Sequence, residues 1–288
     1  MKIEMFNLSY IIYAVLYFLF LVFCLLLLKD KSDSYKKRFI SGLLFFALIV
    51  HFLKLAFEPY INDPTAIRKI TPENICALST LVFPFVFLSK SKVLKDYMFY
   101  IGVLSGTLAI FFPVEAFGKD AFIFDTVRFY IAHIIITVAP FLMVATGLHK
   151  LDYHRIYKVP IMFILVMTII LVNEIILEEI GLVPLRGEDL LFDGHRNFSM
   201  VFGVSDSLPG VSGLLDFFTP KFMMRIPYGE FSGQKKYWPI LWAIIPSFVL
   251  IGGLSFLLSI WFEKKHMLQD MNSIKDWLNR NIFISKKK

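Results

Sequence analysis

The chain of 288 residues is 57% hydrophobic and 17% aromatic, with 32 phenylalanines and a mean hydropathy of +0.66. That is too apolar for a soluble domain of this size, and the apolar residues fall in blocks of membrane-spanning length. The net charge of +7 does not argue for nucleic acid, because the basic residues sit between and after the apolar blocks, where they set topology and meet lipid headgroups.

Seven apolar blocks follow in chain order, and the expected fold is an all-α membrane helix bundle of about seven transmembrane helices. The first, Leu8–Leu28, is too long for a signal-peptide core and lacks a small-residue cleavage site, so it reads as a retained helix. The second covers 39–57. The third, Ile75–Leu88, is short and contains Pro84. The fourth, 97–112, carries Gly102 and Gly106 at the GxxxG spacing that lets helix backbones approach. The fifth, 125–148, carries His133 near its middle and Pro140 after it, and the rest of the bundle is expected to be built around it. The sixth covers 159–180 and the seventh 237–262.

The connections alternate in charge. Residues 29–38 hold five Lys/Arg, 89–95 three, 149–158 three, and the tail after Phe262 seven. The positive-inside rule then puts the N-terminus outside and the C-terminus inside, which needs an odd number of spans. Residues 1–262 read as one transmembrane domain. Its 181–236 segment is too apolar to float in water and too broken to span, so it is expected at the outer interface or over the bundle mouth. Residues 263–288 read as a basic amphipathic tail on the cytoplasmic surface.

That topology gathers polar side chains at one depth. His51 and Lys54 fall in the outer half of the second helix. Asn74, Cys76 and Thr80 fall in the outer half of the third, where Cys76 and Thr80 share a face. Arg128 lies about one turn into the fifth helix, and His133 about 12 Å deep at the α-helical rise. Asn173 and Glu174 close the sixth, and Glu58 and Glu115 sit at outer helix ends. Lipid does not solvate ionisable groups, so this one-sided set predicts a polar cavity open to the outer side. Cys24, between Phe23 and Leu25, reads as packing. The two cysteines indicate neither a disulfide framework nor a zinc site. With no glycine-rich phosphate loop either, no metal or other cofactor is expected.

Cys76 stands in ITPENICALSTLVFPFVFLSKSKVLKDYMFYIGVLSGTLAIFFP and His133 in FDTVRFYIAHIIITVAP. In order and spacing these stretches resemble the YwaF family of bacterial membrane proteins, which is related to the eukaryotic transmembrane protein 164, an ether-phospholipid acyltransferase. Lys95, Asp96, Gly102, Gly106 and Pro113 fit the intervening pattern, and Arg196–Asn197–Phe198, Gly213–Asp216 and Tyr228 resemble later elements. Where the family has a histidine two residues before the cysteine, this chain has Asn74. The resemblance implies a cell-membrane enzyme working on phospholipids by thiol–imidazole acyl transfer or ester hydrolysis. Cys76 would be the nucleophile, His133 the base, and Asn74 or Asn197 a donor to the oxyanion. His51, Thr80, Arg128 and Glu174 complete the expected site. The competing readings are a transporter or lipid-binding protein using the same cavity and a structural protein with a degenerate site. The oligomeric state stays open.

Overall fold

The computed structural model describes residues 1–183, 198–204, 209–224 and 235–285. The main helices are α1 (Leu8–Leu28), α2 (Asp33–Leu53), α3 (Ile75–Leu88), α4 (Lys92–Phe111), α5 (Phe124–Ala145) and α6 (Lys158–Glu179). A shorter α7 (Pro209–Phe218) and a last helix, Gly252–Ser285, follow. Among the described residues there is no strand, only an isolated bridge between Lys2 and Asp120.

The helix starts are written locally. Asn7, Ser32, Asn74 and Ser91 each stand one residue before a helix, and each side chain accepts from a backbone N–H of the first turn. Such caps satisfy amides that the helix itself leaves unpaired. The helices then run through apolar sequence, and Pro84 and Pro140 sit inside α3 and α5 without ending them.

The chain is a multi-span membrane protein: six helical runs among the described residues are long and apolar enough to cross a bilayer. The third of the seven expected spans falls short. α3 has 14 residues, which is about 21 Å at the α-helical rise, against about 30 Å of hydrocarbon. The chain before it makes up the distance with two 3₁₀ turns, Lys54–Ala56 and Ala66–Ile70, that tuck Lys54, Ala66 and Glu73 into the protein. The last helix also departs from expectation. It continues unbroken past Phe262, because the sequence from Leu254 to Ser285 holds neither glycine nor proline to stop it. The expected tail is thus its continuation, with Trp277 exposed.

α5 is the hub. It packs against α1, α2, α3 and α4, and 67% of its apolar window is buried, compared with 22% for the lipid-facing α1. The closest approach is to α4, where the glycine pair does what its spacing predicts. A Cβ on Gly102 would stand 2.7 Å from the Ile136 carbonyl, and one on Gly106 would fall on the Thr137 hydroxyl, 3.0 Å from the His133 carbonyl. The described residues 198–204 fold back onto the bundle: Val201 is fully buried, and the Ser199 hydroxyl accepts from Ile75 N at 3.0 Å, at the start of α3.

The opposite end of α4 and α5 is tied by charge. Asp96, 2% exposed, accepts from Arg155 Nε at 2.6 Å and Nη2 at 3.1 Å, and from His149 Nε2 at 2.7 Å. Asp96→Ala would strand a buried imidazole and a guanidinium that keeps some water. We expect a loss of about 3 kcal/mol, the low end for breaking a buried pair, read as a fall in the thermal midpoint in detergent. An unchanged midpoint would show that the cluster carries no stability.

Candidate functional site

A cavity of about 520 Å³, its open mouth included, lies at the end of the bundle where α3 and α5 begin. α2 contributes His51, and the 3₁₀ turn after it Lys54. The 54–74 connection contributes Tyr60, Lys69, Glu73 and Asn74; α3 adds Cys76, Ala77 and Thr80. α5 supplies Arg128, Phe129, Ala132, His133 and Ile136, and Glu115 stands exposed at the mouth. Of the site residues expected from the sequence, His51, Asn74, Cys76, Thr80, Arg128 and His133 therefore meet in one cavity.

Glu174 does not join them. It is fully buried on α6, which packs on α3, α4 and the last helix, and it is not among the residues that line the cavity. Asn197 and Tyr228 lie outside the described residues.

Local structure orients the reactive groups. Asn74 caps α3: its Oδ1 accepts from Ala77 N at 2.7 Å, which leaves the side-chain Nδ2 as a donor at the cavity wall. Cys76 follows in the first turn, half-buried, with the Ser105 hydroxyl of α4 beside its thiol. Thr80 sits one turn further, its hydroxyl donating to the Cys76 carbonyl at 2.9 Å.

His133 is held from three sides. Its Nδ1 lies 2.7 Å from the Phe129 carbonyl. A carbonyl only accepts, so Nδ1 carries the proton and Nε2 the lone pair. The Phe129 ring packs 4.2 Å from the imidazole, and the His133 carbonyl accepts from the Thr137 hydroxyl at 2.8 Å with Gly106 against it. His51 has the other tautomer, because its Nε2 donates to the Ile70 carbonyl at 3.2 Å.

The charges are partly paired. Asp125, 1% exposed, accepts from Arg128 at 2.8 Å, Lys119 at 2.6 Å and the Tyr60 hydroxyl at 2.8 Å. Lys69 pairs with Glu73 at 3.2 Å.

Metal-capable side chains are grouped elsewhere. Asp152, His154 and His266 bring one ligand atom each within 4.8 Å of one another, on the α5–α6 connection and the last helix at the opposite end of α5. The hydrogen bond from Tyr153 to Asp270 there pushes the half-buried Tyr153 phenol up to about 12. His154 already bonds Asp152 at 3.0 Å, so the group is satisfied by its own ion pairs.

Sequence reasoning missed Tyr60, Lys69 and Glu73 and left Lys54 and Glu115 out of the site. The sequence places Lys54 in the outer half of the second helix and gives the connection after it no role in the site. The available signal was the shortness of α3, which forces the preceding chain to re-enter the bundle.

No curated protein and no solved structure matches the chain. The model of the TMEM164 family matches residues 5–194, a stretch that contains both Cys76 and His133 and every described residue of the cavity wall. The YwaF assignment is not among the matches; the match to this related family over about two-thirds of the sequence shows that the chain belongs to the TMEM164 family.

Proposed function

We propose that this protein is a membrane-embedded acyltransferase that moves acyl chains between lipids through Cys76 and His133. The observation that carries the reading is one polar cavity, inside an apolar bundle, lined by a half-buried thiol and an imidazole whose Nε2 keeps its lone pair. The thiolate, not the thiol, is the nucleophile, so the thiol needs a base.

His133 Nε2 takes the Cys76 proton as sulfur attacks the ester carbonyl. Charge collects on the carbonyl oxygen, and the Asn74 Nδ2 is the donor placed at the cavity wall to meet it. The tetrahedral centre collapses, the C–O bond breaks, and the imidazolium returns its proton to the departing alkoxide. The acyl group is then a thioester on Cys76. His133 next removes a proton from an acceptor hydroxyl, whose oxygen attacks the thioester and releases the thiol. With water as acceptor the same steps give hydrolysis.

The Lys/Arg-rich connections fall at the end opposite the cavity, which supports a cavity facing the outer leaflet of the cell membrane.

The test is to trap the intermediate. Protein in liposomes is given phospholipid with a labelled acyl chain and no acceptor. Label should appear on Cys76 as a hydroxylamine-labile adduct, absent from Cys76→Ala. Labelling that survives the substitution, or a folded protein that neither labels nor turns lipid over, would sink the reading. Lipid flux persisting in Cys76→Ala would favour a carrier.

A further inference from the structure

Lys54 is buried to 4% exposure, and its side chain lines the cavity. Among the described residues its ammonium has no hydrogen bond and no ion pair; it lies 6.0 Å from the centre of the Tyr60 ring. The nearby carboxylates Glu73 and Glu115 attract it through space without a hydrogen bond to it, and each of the others has its own partners. Glu73 is bound to Lys69, and Asp125 already receives Arg128, Lys119 and Tyr60. Glu115 stands in solvent at the mouth. Arg128 spends one guanidinium nitrogen on Asp125, while its buried Nε has no hydrogen-bond partner among the described residues.

A buried charge without a hydrogen-bonded counter-ion is costly, so a cavity built this way favours the entry of an anion. Lysine beside arginine is the donor set for a phosphate, whose several oxygens accept from both at once. Position narrows the choice further. Lys54 lies three residues beyond His51 on the path to the end of the bundle, and Arg128 five residues before His133. On the α5 axis that puts Arg128 about 7.5 Å nearer the end of the bundle than the imidazole. A glycerophospholipid carries its phosphate and an acyl ester on adjacent glycerol carbons, a separation of the same order.

We infer that Lys54 and Arg128 form a phosphate subsite that holds the headgroup of a glycerophospholipid while its acyl ester reaches Cys76, an inference that rests on the acyl-transfer reading above. Lys54 then acts as a specificity residue: it selects phosphate-bearing lipids over neutral ones with the same acyl chains.

Binding is measured without turnover, in full-length Cys76→Ser protein in detergent. The probes are dihexanoyl phosphatidylglycerol, dihexanoylglycerol and inorganic phosphate. We expect the phospholipid to bind more tightly than the neutral lipid. Adding Lys54→Met should weaken the phospholipid alone by about tenfold or more, the scale of a lost charge-assisted hydrogen bond. Lys54→Arg should restore most of it, which separates charge recognition from a folding defect. Equal affinity for the two lipids, or a phospholipid affinity that Lys54→Met leaves unchanged, overturns the subsite. Inorganic phosphate that binds in a Lys54-dependent way and is not displaced by the phospholipid overturns the headgroup assignment and gives the anion a soluble source. The acyl-transfer reading fails separately: a protein with Cys76 intact that binds phospholipid through Lys54 yet never turns it over removes that reading and leaves the subsite standing.

Discussion

Cys76→Ala and His133→Ala are each expected to lower acyl transfer by about 10³–10⁴-fold, and the double variant should lose no more than the worse single one. Without the thiol there is nothing to form the thioester. Without the imidazole no base takes the proton from the thiol. In the proposed mechanism the two groups act on one bond in one step, so removing either should remove the step. The measurement is initial rates of labelled acyl transfer in liposomes for the three variants, with thermal unfolding of each as the control for folding. Cys76→Ala deletes one sulfur from a half-buried position and should leave the midpoint near wild type. His133→Ala also removes the bond to Phe129 and the ring contact at 4.2 Å, so His133→Gln is the better folded partner. Additive losses in the double variant would mean that the residues do not work together, and would move the chemistry away from this pair.

Gly106→Val is expected to cost about 1–3 kcal/mol of stability and about 10²-fold in turnover, although Gly106 is no part of the reacting pair. Any Cβ there lands on the Thr137 hydroxyl and 3.0 Å from the His133 carbonyl. Both are rigid helix positions, so α4 and α5 must separate. His133 moves with α5 while Cys76 stays on α3, and the geometry between them is lost. Gly42→Ala is the opposing control. Gly42 lies in α2 with nothing within 4 Å of the added Cβ, so there the substitution should stabilise by about 0.5–1 kcal/mol and leave turnover unchanged. Thermal midpoints and transfer rates of both variants decide the matter. A Gly106→Val protein as active as wild type would show that the close α4–α5 contact does not position the site.

The bundle and the depth of its polar residues were legible in the chain. The α3 boundaries read from apolar periodicity are those observed, and α1 likewise, because lipid demands long apolar runs and the caps Asn7 and Asn74 mark where they begin. The glycine pair was legible as a contact but not as a particular one; only the packed structure shows that it faces Ile136 and Thr137 and so braces His133. Sequence position also set the depth of Cys76, His51, Arg128 and His133, since each residue of a helix advances a fixed rise.

What position along a helix cannot set is direction around it. In water an apolar stripe tells which face is inside, but a membrane helix is apolar on both its lipid and its protein faces. Glu174 and His133 are both deep ionisable residues near the same end of the bundle, and the sequence treats them alike. Packing puts His133 in the cavity wall and leaves Glu174 out of it. The same holds for Lys54 and Glu73: the short α3 leaves room for the chain before it to bury both, which hydropathy does not show. The sequence by itself thus determined which side chains share a depth, because that follows from length and hydropathy. The tertiary structure alone decided which of them share a cavity, because that depends on how neighbouring helices rotate to bring their backbones together.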